Sequence, residues 1–79
     1  MSLQEILATT PLQAVESSNL LEVGYNEENK KLFVKFNSGW VYGYHEVEPG
    51  VFDQLLSADS KGKFFNANIK NSFNYERVI

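Results

Sequence analysis

The chain has no cysteine, one histidine, one tryptophan and two prolines in 79 residues. Without cysteine there are no disulfides and no thiolate metal sites. A single imidazole, His45, removes most other transition-metal arrangements, so no metal and no other cofactor is expected. No apolar run approaches the length of a membrane span. The opening MSLQEI also lacks the basic flank, apolar stretch and cleavage site of a secretory signal. A cytoplasmic protein with no membrane partner is the expectation. Positive charge is scarce as well: seven Lys and Arg against ten Asp and Glu leave a net charge of −3. That disfavours nonspecific binding along a long nucleic acid, which needs many cationic contacts to phosphate.

Catalytic motifs are equally sparse. Nucleophilic hydrolysis needs a Ser or Cys with a base held by a third group, and no nucleophile motif surrounds His45. The pair His45-Glu46 could act as acid and base, but it reads more simply as a partly exposed histidine at a strand end. No spacing singles out a pair of carboxylates for glycoside chemistry. The chain is expected not to be an enzyme.

Six phenylalanines, four tyrosines and the tryptophan stand against these absences. A chain of this length makes one domain and buries only a little over ~60% of its unfolded surface. It is marginal alone, and it gains from a well-filled core or from association. The aromatics suit both.

They concentrate in Lys30–Tyr44, KKLFVKFNSGWVYGY. Leu32, Val34 and Phe36 alternate with Lys31, Phe33 and Lys35, the period of a strand. Asn37-Ser38-Gly39 is a turn triplet, and Trp40-Val41-Tyr42-Gly43-Tyr44 has the composition of a returning strand. Two registers are open. A two-residue Ser38-Gly39 turn puts Trp40, Tyr42, Tyr44 and Phe33 together on an exposed platform. A three-residue loop with Gly39 in a bulge sets Phe36 opposite Trp40 and sends the large aromatics into the core with Leu32 and Val34. A slip of one residue moves every side chain to the other face.

Around the hairpin, Ser2-Leu3-Gln4-Glu5 matches a capping box for a short helix with Leu3, Ile6 and Leu7 as its apolar side, stopped at Thr9-Thr10-Pro11. So short a helix cannot stand alone; it docks on its own domain or on a neighbouring subunit, and a homo-oligomer is expected. Leu12 and Val15 continue an apolar thread. Leu20–Tyr25 alternates as a first strand, with Leu21, Val23 and Tyr25 on one side and Leu20, Glu22 and Gly24 on the other. Pro49 opens an amphipathic helix over 49–57 carrying Val51, Phe52, Leu55 and Leu56. Asp59-Ser60 caps a second helix to about Ile69, with Phe64, Phe65 and Ile69 inward. Residues 73–79 alternate again, as an extended tail along a sheet edge. The expected fold is α+β: a three-stranded antiparallel meander, two short helices after it and a short N-terminal helix. Residues 1–14 form an arm and 15–79 a single domain.

Charge is uneven along this plan. Residues 60–79 hold Lys61, Lys63, Lys70 and Arg77 against Glu76 alone, so an anion site is expected to involve the C-terminal quarter. Ser60-Lys61-Gly62-Lys63-Phe64-Phe65-Asn66 starts a helix, whose free N–H groups and positive dipole end favour an anion. Gly62 would allow close approach to the backbone. One glycine does not make a P-loop, and a solvated helix start with Gly62 packed against the sheet is the plainer alternative.

The ordered set Val15-Glu16-Ser17-Ser18-Asn19-Leu20, Val23-Gly24-Tyr25, Leu32-Phe33-Val34-Lys35-Phe36, Tyr42-Gly43-Tyr44, Ser60–Asn66 and Tyr75-Glu76-Arg77-Val78 resembles the KTSC domain. That family is named after the C-terminus of some lysyl-tRNA synthetases and also occurs as small free-standing bacterial and phage proteins. Its central tyrosine-x-tyrosine pair is matched by Tyr42 and Tyr44; Met1–Ala14 is extra to the pattern. The resemblance implies a binding module, with RNA as one ligand through the synthetase association. The favoured expectation is non-catalytic binding of a small or cyclic nucleotide, sequestered by a homo-oligomer as phage counter-defence proteins do. RNA binding and a protein-interaction adaptor with exposed aromatics are the alternatives. The expected ligand-binding residues are Trp40, Tyr42, Tyr44, Ser60, Lys61, Gly62, Lys63, Asn66 and Arg77, which would join a stacking surface to a phosphate anchor.

Overall fold

A computed structural model describes residues 2–79. The N-terminal helix α1 (Leu3–Ala8) starts as the capping box requires: Ser2 Oγ accepts from the Glu5 N–H at 3.2 Å, and Glu5 reaches back to the Ser2 N–H at 3.1 Å. Five strands follow, β1 (Gln13–Ala14), β2 (Leu20–Asn26), β3 (Lys31–Phe36), β4 (Val41–Tyr44) and β5 (Tyr75–Arg77), with α2 (Pro49–Ser57) and α3 (Lys61–Asn68) between the last two. The fold is α+β, and its sheet is antiparallel throughout in the order β1-β2-β3-β4-β5.

The sheet thus has five strands where three were expected. The meander β2-β3-β4 is its centre. β1 is two exposed residues with no alternation of their own, so nothing in the sequence marks it. β5 coincides with the expected edge tail, yet all three of its residues are exposed. Only pairing with β4 makes it a strand.

Register is set at the β3–β4 turn. Gly39 sits at φ +94°, Phe36 N–H donates to Trp40 O at 2.9 Å, and Gly39 N–H returns to Phe36 O at 2.8 Å. That is the three-residue loop with a glycine bulge, and it pairs Val34 with Tyr42 and Leu32 with Tyr44. The aromatics therefore share a face with Leu32 and Val34. β2 carries a correction of the same kind. A bulge between Leu20 and Glu22 makes Leu21 the extra residue, so Leu20, rather than Leu21, joins Val23 and Tyr25 in the core. Leu20 is 1% exposed and Leu21 42%.

One face of the sheet packs under α2 and α3, where Leu55, Phe65 and Ile69 close over Val23, Leu32, Val34 and Tyr44. Each such fully buried side chain contributes about 1.5–3 kcal/mol relative to exposure. The opposite face carries Phe33 and Val41, and α1 covers them with Leu3 and Ile6. Gly43 leaves room for this: a Cβ there would lie 3.0 Å from Leu3 Cδ1 and 3.1 Å from the Phe33 ring. The arm's apolar residues find partners within the chain.

If α1 is part of this fold, Ile6→Ala should cost about 2–5 kcal/mol, the range for large-to-small core changes, read as a lower urea midpoint. An unchanged midpoint would place α1 off the sheet.

Candidate ligand-binding groove

The α2/α3 layer does not reach the whole of its sheet face. Beyond the end of α3 the chain leaves Trp40 49% exposed and Tyr75 53% exposed, with Tyr42 half-buried between them and buried Tyr44. Cross-strand pairing explains the cluster, because Tyr44 lies opposite Tyr75 and Tyr42 opposite Arg77, and directly opposed residues share a face. The Tyr75 ring centroid is 5.7 Å from that of Tyr42 and 5.5 Å from that of Tyr44. Phe36 meets Tyr42 edge-on at 5.5 Å, and Phe65 meets Tyr44 in the same way at 5.6 Å.

These six aromatics, with Asn19, Ser38, Asn66 and Lys70, line an open groove of about 350 Å³. That is near the small end of ligand sites, enough for one compact ligand. Among the described residues, no carboxylate lines it and Lys70 is the one cation in its wall; the Arg77 guanidinium stacks 4.4 Å above the Trp40 ring beside it. In a chain of net charge −3 this is an acid-free aromatic surface with two cations at hand.

A second depression, of about 390 Å³, is lined by His45, Glu46, Asn71, Ser72, Phe73 and Asn74. Among the described residues its lining has one phenylalanine and no Lys or Arg, and His45 Nε2 already lies 3.0 Å from Glu76 Oε2. Among the described residues, no three His, Cys, Asp or Glu side chains converge in a way that could hold a metal.

Of the residues expected from sequence, Trp40, Tyr42, Tyr44 and Asn66 line the groove and Arg77 borders it through Trp40. Ser60, Lys61, Gly62 and Lys63 do not line it. Ser60 Oγ accepts from the Lys63 N–H at 3.3 Å, so the α3 start is capped from within, and Lys61 Nζ donates to Ala58 O at 3.4 Å. Gly62 is buried, and the space beside it is filled by the chain itself: a Cβ there would lie 2.3 Å from Asn19 Oδ1 and 3.3 Å from Ser17 Oγ. Gly62 packs against the 17–19 loop, neither against the sheet nor open to an anion. Lys70, and neither Lys61 nor Lys63, lines the groove.

The groove residues that sequence reasoning missed had unequal signals. Tyr75 was readable from its alternation with Glu76, and Lys70 from the charge of the last quarter. Asn19 was not, because the contact of α3 with its loop brings it there.

Forcing a methyl into the Gly62 contact should strain the α3–loop junction. Gly62→Ala is expected to lose about 1–3 kcal/mol, as overpacked sites do, measured by urea unfolding. Wild-type stability in that variant would show that Asn19 yields freely.

Burial pushes the Tyr44 phenol well above its ordinary value near 10, with Tyr75 and Tyr42 adding to the shift. The sign for stability follows from linkage: a raised folded value means the unfolded chain releases its proton first as pH rises. The contribution is fully present below about pH 10 and is lost above it. Alkaline unfolding should accordingly set in above that pH, and Tyr44→Phe should make the decline shallower; an equally steep decline would detach it from Tyr44.

A family model for the KTSC domain matches residues 16–73. The chain belongs to the KTSC domain family. It is 44% identical over 62 residues to a protein of Tsukamurella paurometabola named only as a protein, covering 78% of this chain and 92% of that one. It is 36% identical over 77 residues to a lysine–tRNA ligase of Nostoc punctiforme, covering 98% of this chain but 14% of the ligase. The crystal structure of a KTSC domain protein from Yersinia pestis superposes with a TM-score of 0.87 at 32% identity, over 90% of this chain and all of that one. The ligase match extends over nearly the whole chain, so the likeness there includes the α1 arm that lies outside the KTSC match.

Proposed function

We propose that this KTSC domain is a non-catalytic binding module that takes one nucleotide unit in the Trp40–Tyr75 groove. The observation that carries the reading is the combination of stacking rings with an acid-free lining in an otherwise acidic chain. Aromatic side chains stack on any base, and Lys70 and Arg77 offer the charge that a phosphate needs. Exposed Trp40 and Tyr75 supply the stacking faces; Tyr42 and Tyr44 form the floor. The groove's size favours a single small or cyclic nucleotide, and the net charge disfavours tracking along a polyanion. Sequestration is the simplest use for such a site.

A second reading is single-stranded RNA with one base turned into the same groove. What favours it is the match to a segment of lysine–tRNA ligases, enzymes named for a tRNA substrate. The adaptor reading has less support, because the exposed Trp40 and Tyr75 wall a groove and do not form a flat apolar patch.

Trp40 is the only tryptophan in the chain, so its fluorescence reports occupancy directly. Nucleoside monophosphates, cyclic nucleotides and a short single-stranded RNA should each be titrated against it. Saturable quenching is expected, and Lys70→Glu should weaken it at least about tenfold, since it replaces attraction by repulsion at the phosphate. Tighter binding of the RNA than of every free nucleotide selects the second reading; no response to any of them defeats both.

A further inference from the structure

Trp40 walls the groove, yet the fold does little to hold its ring. The residue lies between β3 and β4, outside both strands. It is 49% exposed and belongs to neither core cluster. Among the described residues its ring pairs with no other aromatic ring. What sits against it is the Arg77 guanidinium, 4.4 Å from the ring centroid. Indole attracts a cation more strongly than the other aromatic rings do, and the planar guanidinium is the cation suited to stacking on it.

The backbone of Arg77, by contrast, is fixed from both sides. Arg77 pairs with Tyr42 across the β4–β5 ladder. The next residue, Val78, donates its N–H to Val41 O at 2.7 Å and packs against the cluster under α1. Gln4 Nε2 also donates to Val78 O at 3.5 Å. No acid competes for the guanidinium: among the described residues the ion pairs are Lys30–Glu48 and His45–Glu76, so neighbouring Glu76 is already engaged. Arg77 is itself absent from the groove lining. The indole surface beneath it is therefore closed, and Trp40 gives the groove only the surface that Arg77 leaves uncovered.

We infer that Arg77 is a positioning residue, which holds the Trp40 indole in the orientation that walls the groove. The inference rests on the nucleotide reading of that groove. An exposed side chain on a turn samples several rotamers, and ordering one on binding weakens affinity by about two- to tenfold. A ring already stacked on a fixed strand avoids most of that loss. This role is separate from the charge Arg77 brings to the rim. A residue that holds the wall helps any base, phosphorylated or not, whereas a phosphate contact helps only the phosphorylated form.

That difference supplies the test, with Arg77→Ala compared to wild type in two measurements. Time-resolved fluorescence anisotropy of Trp40, the only tryptophan, reads ring motion without any ligand; the variant should gain a larger fast component. Adenosine, uridine and their 5′-monophosphates are then titrated against the labelled proteins by chemical shift. The variant should bind the nucleosides about two- to tenfold more weakly, and the monophosphates at least as much so. Unchanged ring motion in Arg77→Ala overturns the inference, and it leaves the groove a nucleotide site if the wild type binds. Nucleosides bound equally by both proteins, with the monophosphates alone weakened, also overturn it and make Arg77 a phosphate contact. A wild type that binds none of the four overturns the groove reading and this inference with it.

Discussion

A three-residue turn decides what kind of protein this is. With Gly39 in a positive-φ bulge and Phe36 paired to Trp40, every second residue of β4 faces α2 and α3. A two-residue turn in the same place would reverse β4 and set Val41 under the helices in place of Tyr42 and Tyr44. The β4–β5 pairing inherits the register, so Tyr75 joins Tyr44 and Arg77 joins Tyr42. The groove is the sum of these placements: one strand end, one edge strand and one helix end meeting around a helix layer too short to cover them.

The two faces of the sheet have different tasks. The α1 face is a small closed core, with Phe33 and Val41 under Leu3 and Ile6. The other face is closed at one end, where Leu55, Phe65 and Ile69 pack, and open at the end where Trp40 and Tyr75 are exposed. The closed core and the open groove are therefore separate ends of one surface. Tyr44 belongs to both, since it packs in the core cluster and also lines the groove.

Much of this was legible in the sequence because strong local signals agreed with the fold. Ser2 and Glu5 mark the first cap, Pro49 and Ser60 mark the two later helix starts, and the alternation of β3 is unambiguous. The expectations that failed share a cause: they depend on contacts between distant segments. The Leu21 bulge is set by pairing with β3, and β1 exists only because β2 has an open edge. Gly62 looked like a place for an anion because its neighbours are lysines. Its partner is Asn19, more than forty positions away in the chain, and no local pattern announces that. Of the groove lining, Tyr42 and Tyr44 were readable from the tyrosine pair and Lys70 from the charge of the last quarter, whereas Asn19 required the helix to be docked.

The most direct test of the central claim is amide chemical-shift mapping of the labelled domain with a nucleoside monophosphate, the single Trp40 indole N–H serving as an internal marker. The account predicts perturbations confined to Trp40–Tyr44, Tyr75–Arg77, Asn66–Lys70 and the loop at Asn19, with α1 and the Ser60–Lys63 helix start silent. Shifts centred on Lys61 and Lys63, or on the His45 depression with the Trp40 indole unmoved, would contradict it.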